Sequence, residues 1–187
     1  MPLISCPETG LRPAIFLDRD GTLNVETGYL YKKAEWRWLR GSREAIAMLN
    51  RANYLVVVVT NQAGIARGLY HAEDVLELHC WVNVQLAEVG AKIDGFYFCP
   101  HHPEFTGSCS CRKPKPGMLL QAAGELGIDL KNSWMVGDKF SDIEAGMAAG
   151  CKSILVHTGY GKDEFIDSSI IQSADLYSAV RSILMIR

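Results

Sequence analysis

The feature that most limits the possible folds is an unbroken apolar run, Leu-Val-Val-Val-Val, at residues 55–59. A strand that is apolar on both faces is typical of a parallel sheet covered by helices on both sides. Four other short apolar runs are also predicted to be strands, and segments of helical periodicity lie among them. The predicted strands are 14–17, 55–59, 93–98, 134–136 and 153–156, and the predicted helices are 42–53, 72–89, 116–126, 141–149 and 176–184. This alternation predicts an α/β fold with a doubly wound, mostly parallel sheet.

The chain of 187 residues is predicted to form a single domain, residues 1–187, because nothing in its composition marks a linker. Residues 1–13 contain three prolines and a glycine and are predicted to be a loose N-terminal tail. The net charge of -2 argues against a nucleic-acid or membrane-surface binder. No apolar run is long enough to span a membrane and no export signal is recognised, so we expect a cytoplasmic location. We also expect a monomer.

Polar residues follow three of the predicted strands, and a basic pair, Arg112-Lys113, lies between the third and fourth strands. The carboxyl ends of parallel strands meet at one edge of a sheet, where ligands bind in this class of fold. At a spacing of two residues, Asp18 and Asp20 can point into one site while Arg19 points elsewhere. The residues that follow the strands are Asp18, Arg19 and Asp20, then Thr60, Asn61 and Gln62, and then Asp138 and Lys139.

These residue types suit the transfer of a phosphoryl group. Asp18, Asp20 and Asp138 repel one another unless they share a cation, and an all-oxygen set of ligands favours Mg²⁺. Asp18 could then attack phosphorus and form an aspartyl-phosphate, while Asp20 serves as general acid and base. Thr60 and Lys113 could stabilise the charge on the phosphoryl oxygens.

Each of these motifs has a simpler explanation when it is taken alone. An Asp-x-Asp-Gly sequence is common in turns, and Thr60-Asn61 or Gly137-Asp138 can serve as a turn or a helix cap. A single lysine such as Lys113 is usually a solvated surface charge. Their joint occurrence, in this order and at predicted strand ends, favours the catalytic interpretation.

A cluster of cysteine and histidine residues at 99–111 predicts a metal-binding loop. Cys99, Cys109 and Cys111 supply three thiolates, and His101 or His102 supplies an imidazole, which together suit a closed structural Zn²⁺ site. The alternatives are a Cys109–Cys111 disulfide or free thiols, and a disulfide is disfavoured in a reducing cytoplasm. Because the loop ends next to Arg112-Lys113, zinc at this position is expected to fix the backbone that aims these two cations.

Together, these motifs resemble those of the haloacid dehalogenase-like phosphohydrolase superfamily. Residues 18–22 are similar to its first motif, Thr60-Asn61 to the second, Lys113 to the third, and Gly137-Asp138 with Asp142 to the fourth. The longer segments 16–24, 58–68 and 111–114 resemble the branch of heptose-bisphosphate 7-phosphatases, and histidinol-phosphate phosphatases share much of this pattern. The resemblance spans residues 14–158.

The resemblance implies a role for each matching residue. It makes Asp18 the nucleophile and Asp20 the acid/base, with Thr60 and Lys113 stabilising the phosphoryl group. It implies that Mg²⁺ is held by Asp18, the backbone carbonyl of Asp20, and Asp138, and that His101 is the histidine that binds zinc with Cys99, Cys109 and Cys111. The residues that it implies for substrate binding are Glu26, Thr27, Gly28, Tyr29, Asn61, Gln62, Arg112 and Lys139.

The resemblance also implies a fold and a substrate. It implies a Rossmann-like domain without a cap, because only about 40 residues separate Asp20 from Thr60. It implies a Mg²⁺-dependent phosphomonoesterase that removes the 7-phosphate of D-glycero-D-manno-heptose 1,7-bisphosphate, a small phosphorylated sugar. The alternatives are histidinol phosphate as substrate, the phosphorylated end of a nucleic acid, and a non-catalytic zinc-bearing interaction module.

Overall fold

A computed structural model of the chain describes residues 10–162 and 169–186. Its described strands form one six-stranded sheet in the order β3-β2-β1-β4-β5-β6, and every pair of neighbouring strands is parallel. The chain order runs outward from the centre in both directions, which is the doubly wound arrangement that the sequence predicts. The strands are β1 (Ala14–Leu17), β2 (Leu55–Asn61), β3 (Gly95–Cys99), β4 (Trp134–Gly137), β5 (Lys152–Val156) and β6 (Ile171–Ser173).

Helices cover both faces of this sheet. In β2, Val56 and Val58 pack in one hydrophobic cluster, whereas Val57 and Val59 pack in the cluster on the other face. Both clusters consist of buried hydrophobic residues, which explains why this strand is apolar at each position. The helices are α1 (Ser42–Arg51), α2 (Ala63–Ala66), α3 (Ala72–Ala87), α4 (Pro103–Thr106), α5 (Gly117–Leu126), α6 (Phe140–Ala149) and α7 (Leu176–Met185).

The five predicted strands and the five predicted helices are all present, with ends shifted by a few residues. The edge strand β6 and the short helices α2 and α4 are not predicted, because they are too short to show a hydrophobic period. The start of α6 lies one residue before the predicted start at residue 141. The helix begins at Phe140, and the carboxylate of Asp142 accepts a hydrogen bond of 3.0 Å from the backbone N–H of Lys139.

The predicted N-terminal tail, residues 1–13, lies partly outside the described residues, which begin at residue 10. Arg12 is already held by the fold, since its backbone N–H donates to the carbonyl of Gly127 at 3.0 Å. Between β1 and β2 the chain forms only a 3₁₀ turn (Lys33–Glu35) and α1, so no cap domain covers the carboxyl edge from this connection. None of the described helices has the length and apolar character to cross a lipid bilayer.

Candidate active site

A cavity of about 540 Å³ lies at the carboxyl edge of the sheet, where the strand-end residues meet. The fold therefore brings together most of the residues that the sequence singles out. Thr27 is exposed and does not line the cavity. Asp138 is fully buried and is not among the lining residues either. The predicted residues that line it are Asp18, Asp20, Glu26, Gly28, Tyr29, Thr60, Asn61, Gln62, Arg112, Lys113 and Lys139.

Several residues that line the cavity are not among the predicted site residues. Tyr70, Ser141 and Tyr160 have no strand-end position or charge pattern that would single them out, and His102 is considered in the sequence only as a candidate zinc ligand. Asp142 also lines the cavity and is foreshadowed only by its place in the fourth motif. Its position, four residues after Asp138 and inside the first turn of α6, was the available sequence signal.

Lys113 is the buried cation of this site. Its ammonium group lies 2.6 Å from Asp18 Oδ1 and 2.7 Å from Asp142 Oδ1, and it donates to the carbonyl of Val59 at 2.7 Å. Burial on its own lowers the pKa of Lys113, but the carboxylates of Asp142 and Asp18 outweigh burial and raise that pKa. Lys113 therefore stays charged beside Asp18, which places a positive charge where an incoming phosphoryl group would need it.

Three buried carboxylates, those of Asp18, Asp138 and Asp142, offer oxygen atoms that lie within 4.8 Å of one another. Burial first, and then the charge of Asp18, raise the pKa of Asp138 to about 8. Asp138 Oδ1 has no hydrogen-bond partner among the described residues, whereas Asp138 Oδ2 accepts from the backbone N–H of Tyr160 at 2.8 Å. A bound cation would stabilise this carboxylate, so the donor set fits Mg²⁺.

The sharp turn after β1 depends on Gly21. Its φ of +87° lies in the left-handed region, and a Cβ atom at this position would collide with the carboxylate of Asp138. The glycine of the first motif thus lets the backbone that follows Asp18 pass close to Asp138. This close approach packs the ends of β1 and β4 together around the three carboxylates.

Arg19 does not line the cavity that Asp18 and Asp20 line, although its side chain contacts Asp20. Its guanidinium is fully buried and folds back onto the carboxylate of Asp20, with Nη2 2.8 Å from Oδ2. Burial would raise the pKa of Asp20, but the charge and hydrogen bonds of Arg19, with help from Asn24 and Gln62, lower it. The guanidinium also donates to the carbonyl of Leu30 at 2.7 Å and lies 3.4 Å from His79 Nε2.

The loop that carries the predicted substrate-binding residues closes one side of the cavity. Glu26 Oε1 accepts from the backbone N–H of Gly28 at 2.7 Å, and Glu26 Oε2 lies 3.4 Å from Lys139 Nζ. Burial disfavours the charged form of Lys139, but the carboxylates of Asp18, Asp138 and Glu26 overcome this and raise its pKa. This ion pair links the loop after β1 to the start of α6 across the cavity.

The cysteine cluster forms a compact group of four ligand atoms. Cys99 Sγ lies 3.0 Å from Cys111 Sγ, 3.6 Å from Cys109 Sγ and 3.7 Å from His101 Nδ1. The ligand atoms of a tetrahedral zinc site lie about 3.5–3.8 Å apart, and the distances from Cys99 to Cys109 and to His101 match this separation. Three thiols and one imidazole within 4.8 Å of one another therefore form a donor set that suits Zn²⁺. None of these three cysteines is in a disulfide, and His102 lies at the start of α4, where its Nδ1 accepts from the backbone N–H of Glu104 at 3.4 Å.

This metal-binding group also reaches the cavity. The guanidinium of Arg112 donates to the carbonyl of His101 at 3.1 Å, and Arg112 lines the cavity. Asn61, at the end of β2, forms two hydrogen bonds with the backbone of Lys113. Its Nδ2 donates to the carbonyl of Lys113, and its Oδ1 accepts from the backbone N–H of Lys113, each at 3.1 Å. The backbone that carries Arg112 and Lys113 is thus tied both to the zinc ligands and to the end of β2.

Comparison with known proteins agrees with this geometry. A family of HAD-hydrolase-like proteins matches residues 110–182. The D-glycero-beta-D-manno-heptose-1,7-bisphosphate 7-phosphatase of Pasteurella multocida (strain Pm70) is 50% identical over 154 residues, covering 80% of this chain and 84% of that protein. The phosphatase of the same name from Photorhabdus laumondii is 44% identical over 182 residues, covering 91% of this chain and 96% of that one.

Solved structures give the same result. The D,D-heptose 1,7-bisphosphate phosphatase from B. bronchiseptica, crystallised with magnesium and phosphate, superposes with a TM-score of 0.85 at 36% identity, covering 94% of this chain and 99% of that chain. The sheet order and these matches define a phosphatase with the HAD-like fold. Within that class, the chain belongs to the family of the D-glycero-beta-D-manno-heptose-1,7-bisphosphate 7-phosphatases.

Proposed function

We propose that the chain is a Mg²⁺-dependent phosphomonoesterase that removes the 7-phosphate of D-glycero-D-manno-heptose 1,7-bisphosphate. The observation that carries the reaction type is the buried contact of 2.6 Å between Lys113 Nζ and Asp18 Oδ1, beside the carboxylates of Asp138 and Asp142. The substrate is supported by the names of relatives that are 44–50% identical to this chain. An interaction module without catalysis would gain nothing from three buried like charges.

We assign the nucleophile to Asp18 and the general acid and base to Asp20. An oxygen of Asp18 attacks phosphorus, the bond to the sugar oxygen breaks, and Asp20 gives a proton to that oxygen. Asp20 then removes a proton from the water that hydrolyses the aspartyl-phosphate. Mg²⁺ bound by Asp18, Asp138 and the backbone carbonyl of Asp20 would neutralise charge on the phosphoryl oxygens.

The remaining cations and hydrogen-bond donors bind the substrate. Lys113 and the hydroxyl of Thr60 stabilise the negative charge on the phosphoryl oxygens during the transfer. Arg112 binds the second phosphate, because its guanidinium is anchored to the carbonyl of His101 and lines the cavity. The residues that we propose to contact the sugar or its phosphates, besides Arg112, are Glu26, Gly28, Tyr29, Asn61 and Lys139, all of which line the cavity.

Zinc has a structural part in this proposal. Cys99, His101, Cys109 and Cys111 fill four positions, so zinc held by them keeps no open position for a catalytic water. Zinc would affect substrate binding because its ligand Cys111 directly precedes Arg112 in the chain. We further propose that residues 1–187 act as one domain, in the cytoplasm and as a monomer, on a small sugar phosphate rather than on a nucleic acid or a membrane.

The test compares phosphate release from heptose 1,7-bisphosphate, fructose 1,6-bisphosphate and histidinol phosphate in the presence of Mg²⁺. We expect a large preference in kcat/KM for the heptose. A preference for histidinol phosphate would contradict the proposed substrate while leaving the reaction type intact. An Asp18→Asn variant serves as the control for contaminating phosphatases, because it removes the nucleophile but keeps the shape of the side chain.

A further inference from the structure

The amide side chain of Gln62 is fully engaged in hydrogen bonds inside the protein. Its Nε2 donates to Thr60 Oγ1 at 2.9 Å and to Asp20 Oδ2 at 3.1 Å, and its Oε1 accepts from the hydroxyl of Tyr70 at 2.7 Å. Gln62 is buried, and its backbone N–H donates to the carbonyl of Cys99. Both side-chain N–H groups are therefore already used, and neither is left to bind a substrate.

Tyr70 is the last residue of a hydrogen-bonded series that runs from Asp20 through Gln62. Its side chain is only 5% exposed and its ring stacks on that of Tyr31 at a centroid distance of 4.9 Å. A Cβ atom at position 64 would overlap the ring of Tyr70, so Gly64 leaves the space that this ring occupies. Burial raises the pKa of Tyr70 to about 12, and its hydroxyl therefore keeps the proton that it donates to Gln62.

The direction of these hydrogen bonds matters for both catalytic partners of Gln62. Thr60 Oγ1 accepts from Gln62, which leaves the hydroxyl proton of Thr60 free to be donated to a phosphoryl oxygen. The carboxylate of Asp20 is held by Gln62 on Oδ2 and by Asn24 on Oδ1, while Arg19 contacts both oxygens. Without the Tyr70 hydroxyl, Gln62 Oε1 would be a buried acceptor lacking a partner, and the amide would turn to satisfy it.

We propose that Tyr70 is a positioning residue for catalysis, which acts through the amide of Gln62 to hold the carboxyl of Asp20 in its orientation at the cavity wall. Gln62 then also acts by positioning Asp20 and Thr60 rather than by contacting the sugar. The inference rests on the proposed function only in requiring that Asp20 protonates the leaving oxygen. It does not depend on which alkyl phosphate is the substrate.

The test compares two substrates whose leaving groups differ in their need for a proton from Asp20. The ratio kcat/KM covers the steps through formation of the aspartyl-phosphate, in which a sugar alkoxide must be protonated as it leaves. A p-nitrophenolate leaves without a proton, so the orientation of Asp20 has little effect on its departure. For Tyr70→Phe we expect kcat/KM to fall about tenfold on the sugar bisphosphate and less than about twofold on p-nitrophenyl phosphate.

Two further variants make the result specific. Tyr97→Phe is the matched control, because it also removes one tyrosine hydroxyl, which donates to Glu125 Oε2 at 2.8 Å outside the cavity. We expect it to leave both substrates unaffected. If Tyr70 acts only through Gln62, the double variant Tyr70→Phe/Gln62→Met should be no slower on the sugar bisphosphate than Gln62→Met alone.

The proposal is overturned if Tyr70→Phe slows both substrates equally, if it slows neither, or if the losses of the two single variants add in the double variant. These outcomes are separate from a failure of the proposed function. Should the wild-type protein prefer histidinol phosphate, the heptose assignment fails, and the same comparison is made with histidinol phosphate as the alkyl substrate.

Discussion

The ammonium group of Lys113 lies 2.6 Å from the carboxylate of Asp18, although 95 residues separate them in the chain. Both side chains are almost completely buried, with 2% and 6% of their surface exposed. Lys113 also lies 2.7 Å from Asp142, so one cation joins two buried acids at the end of the sheet. Because buried charges are costly unless they are paired, this arrangement couples the stability of the site to its chemistry.

Removing the positive charge of Lys113 is expected to slow catalysis. Lys113→Met keeps an unbranched side chain of similar size but leaves Asp18 and Asp142 close together without a counter-charge. We expect kcat to fall at least about a hundredfold, because a buried charge that stabilises a phosphoryl group contributes on this scale. Steady-state kinetics on the sugar bisphosphate measures this, with Lys131→Met, at an exposed 3₁₀ turn, as control. A loss of less than about threefold would contradict the assigned role of Lys113.

Magnesium is expected to stabilise the folded protein through Asp138, whose pKa is raised to about 8 by burial and by the charge of Asp18. A metal that binds only the folded state adds about 2.7 kcal/mol of stability at a concentration one hundred times its Kd. The Tm of the wild-type protein should therefore rise with Mg²⁺ in a thermal unfolding experiment. In Asp138→Asn this rise should disappear, and the metal-free protein should be no less stable than wild type.

The matched control for that experiment is Glu44→Gln, which removes an exposed carboxylate on α1. Its Tm should respond to Mg²⁺ as the wild type does. If Asp138→Asn kept the full response, the metal would bind elsewhere and the assignment of Asp138 as a ligand would be wrong.

Loss of zinc is expected to weaken substrate binding more than catalysis. Cys109→Ser removes one of the four ligand atoms, and the loop that anchors Arg112 through the carbonyl of His101 should loosen. We expect zinc content, measured by atomic emission, to fall well below one ion per chain. The KM for the bisphosphate should rise about tenfold with a smaller change in kcat, since a charged hydrogen bond contributes about 1.5–3 kcal/mol.

Cys80→Ser is the control for this comparison, because Cys80 is an exposed free thiol on α3. It should change neither zinc content nor kinetics. A folded, zinc-free Cys109→Ser protein with unchanged KM and kcat would show that the loop does not position Arg112.

Acid is expected to destabilise the protein through His79. Burial and the neighbouring charge of Arg19 lower the pKa of His79 from 6.5 to about 3, and its ring stacks on Phe96 at 4.5 Å. Because the folded-state pKa lies below the unfolded value, the stabilising contribution is complete above pH 6.5. It is lost as the pH falls from 6.5 toward 3, and it amounts to about 2 kcal/mol between pH 8 and pH 5.

Urea unfolding of wild type and His79→Phe at pH 8 and pH 5 measures this contribution of His79 to the free energy of unfolding. The phenyl ring keeps the stacking but cannot take up a proton, so the variant should lose about 2 kcal/mol less than wild type on acidification. Equal losses in the two proteins would show that His79 is not held in its neutral form.

The arrangement of the sheet could be predicted from the sequence because it depends on strong local signals. The run at residues 55–59 has no polar face, which requires helices on both sides, and polar residues directly follow three strands. Parallel strands then place Asp18, Thr60 and Asp138 at one edge without any knowledge of the side-chain packing. Strand β6, with Ile171 and Gln172 exposed at the sheet edge, carries no such pattern, and the sequence does not predict it.

The finer arrangement of the site could not be predicted because it depends on contacts between distant segments. The direction of the Arg19 side chain is set by Asp20, by the carbonyl of Leu30 and by His79 of α3. Tyr70 carries no charge and follows no strand, and its hydrogen bond to Gln62 requires the turn between α2 and α3. Such networks arise from tertiary packing rather than from local sequence preference.

The most direct test of the account is to trap the phosphorylated enzyme. Wild-type protein mixed with Mg²⁺ and bisphosphate substrate, quenched in acid within milliseconds and digested, should give a phosphorylated peptide that carries the modification on Asp18. The modification should disappear as the substrate is consumed, and Asp18→Asn should give neither the peptide nor turnover. Rapid turnover without any modified peptide, or a phosphoryl group on another residue, would contradict the central claim that Asp18 is the nucleophile.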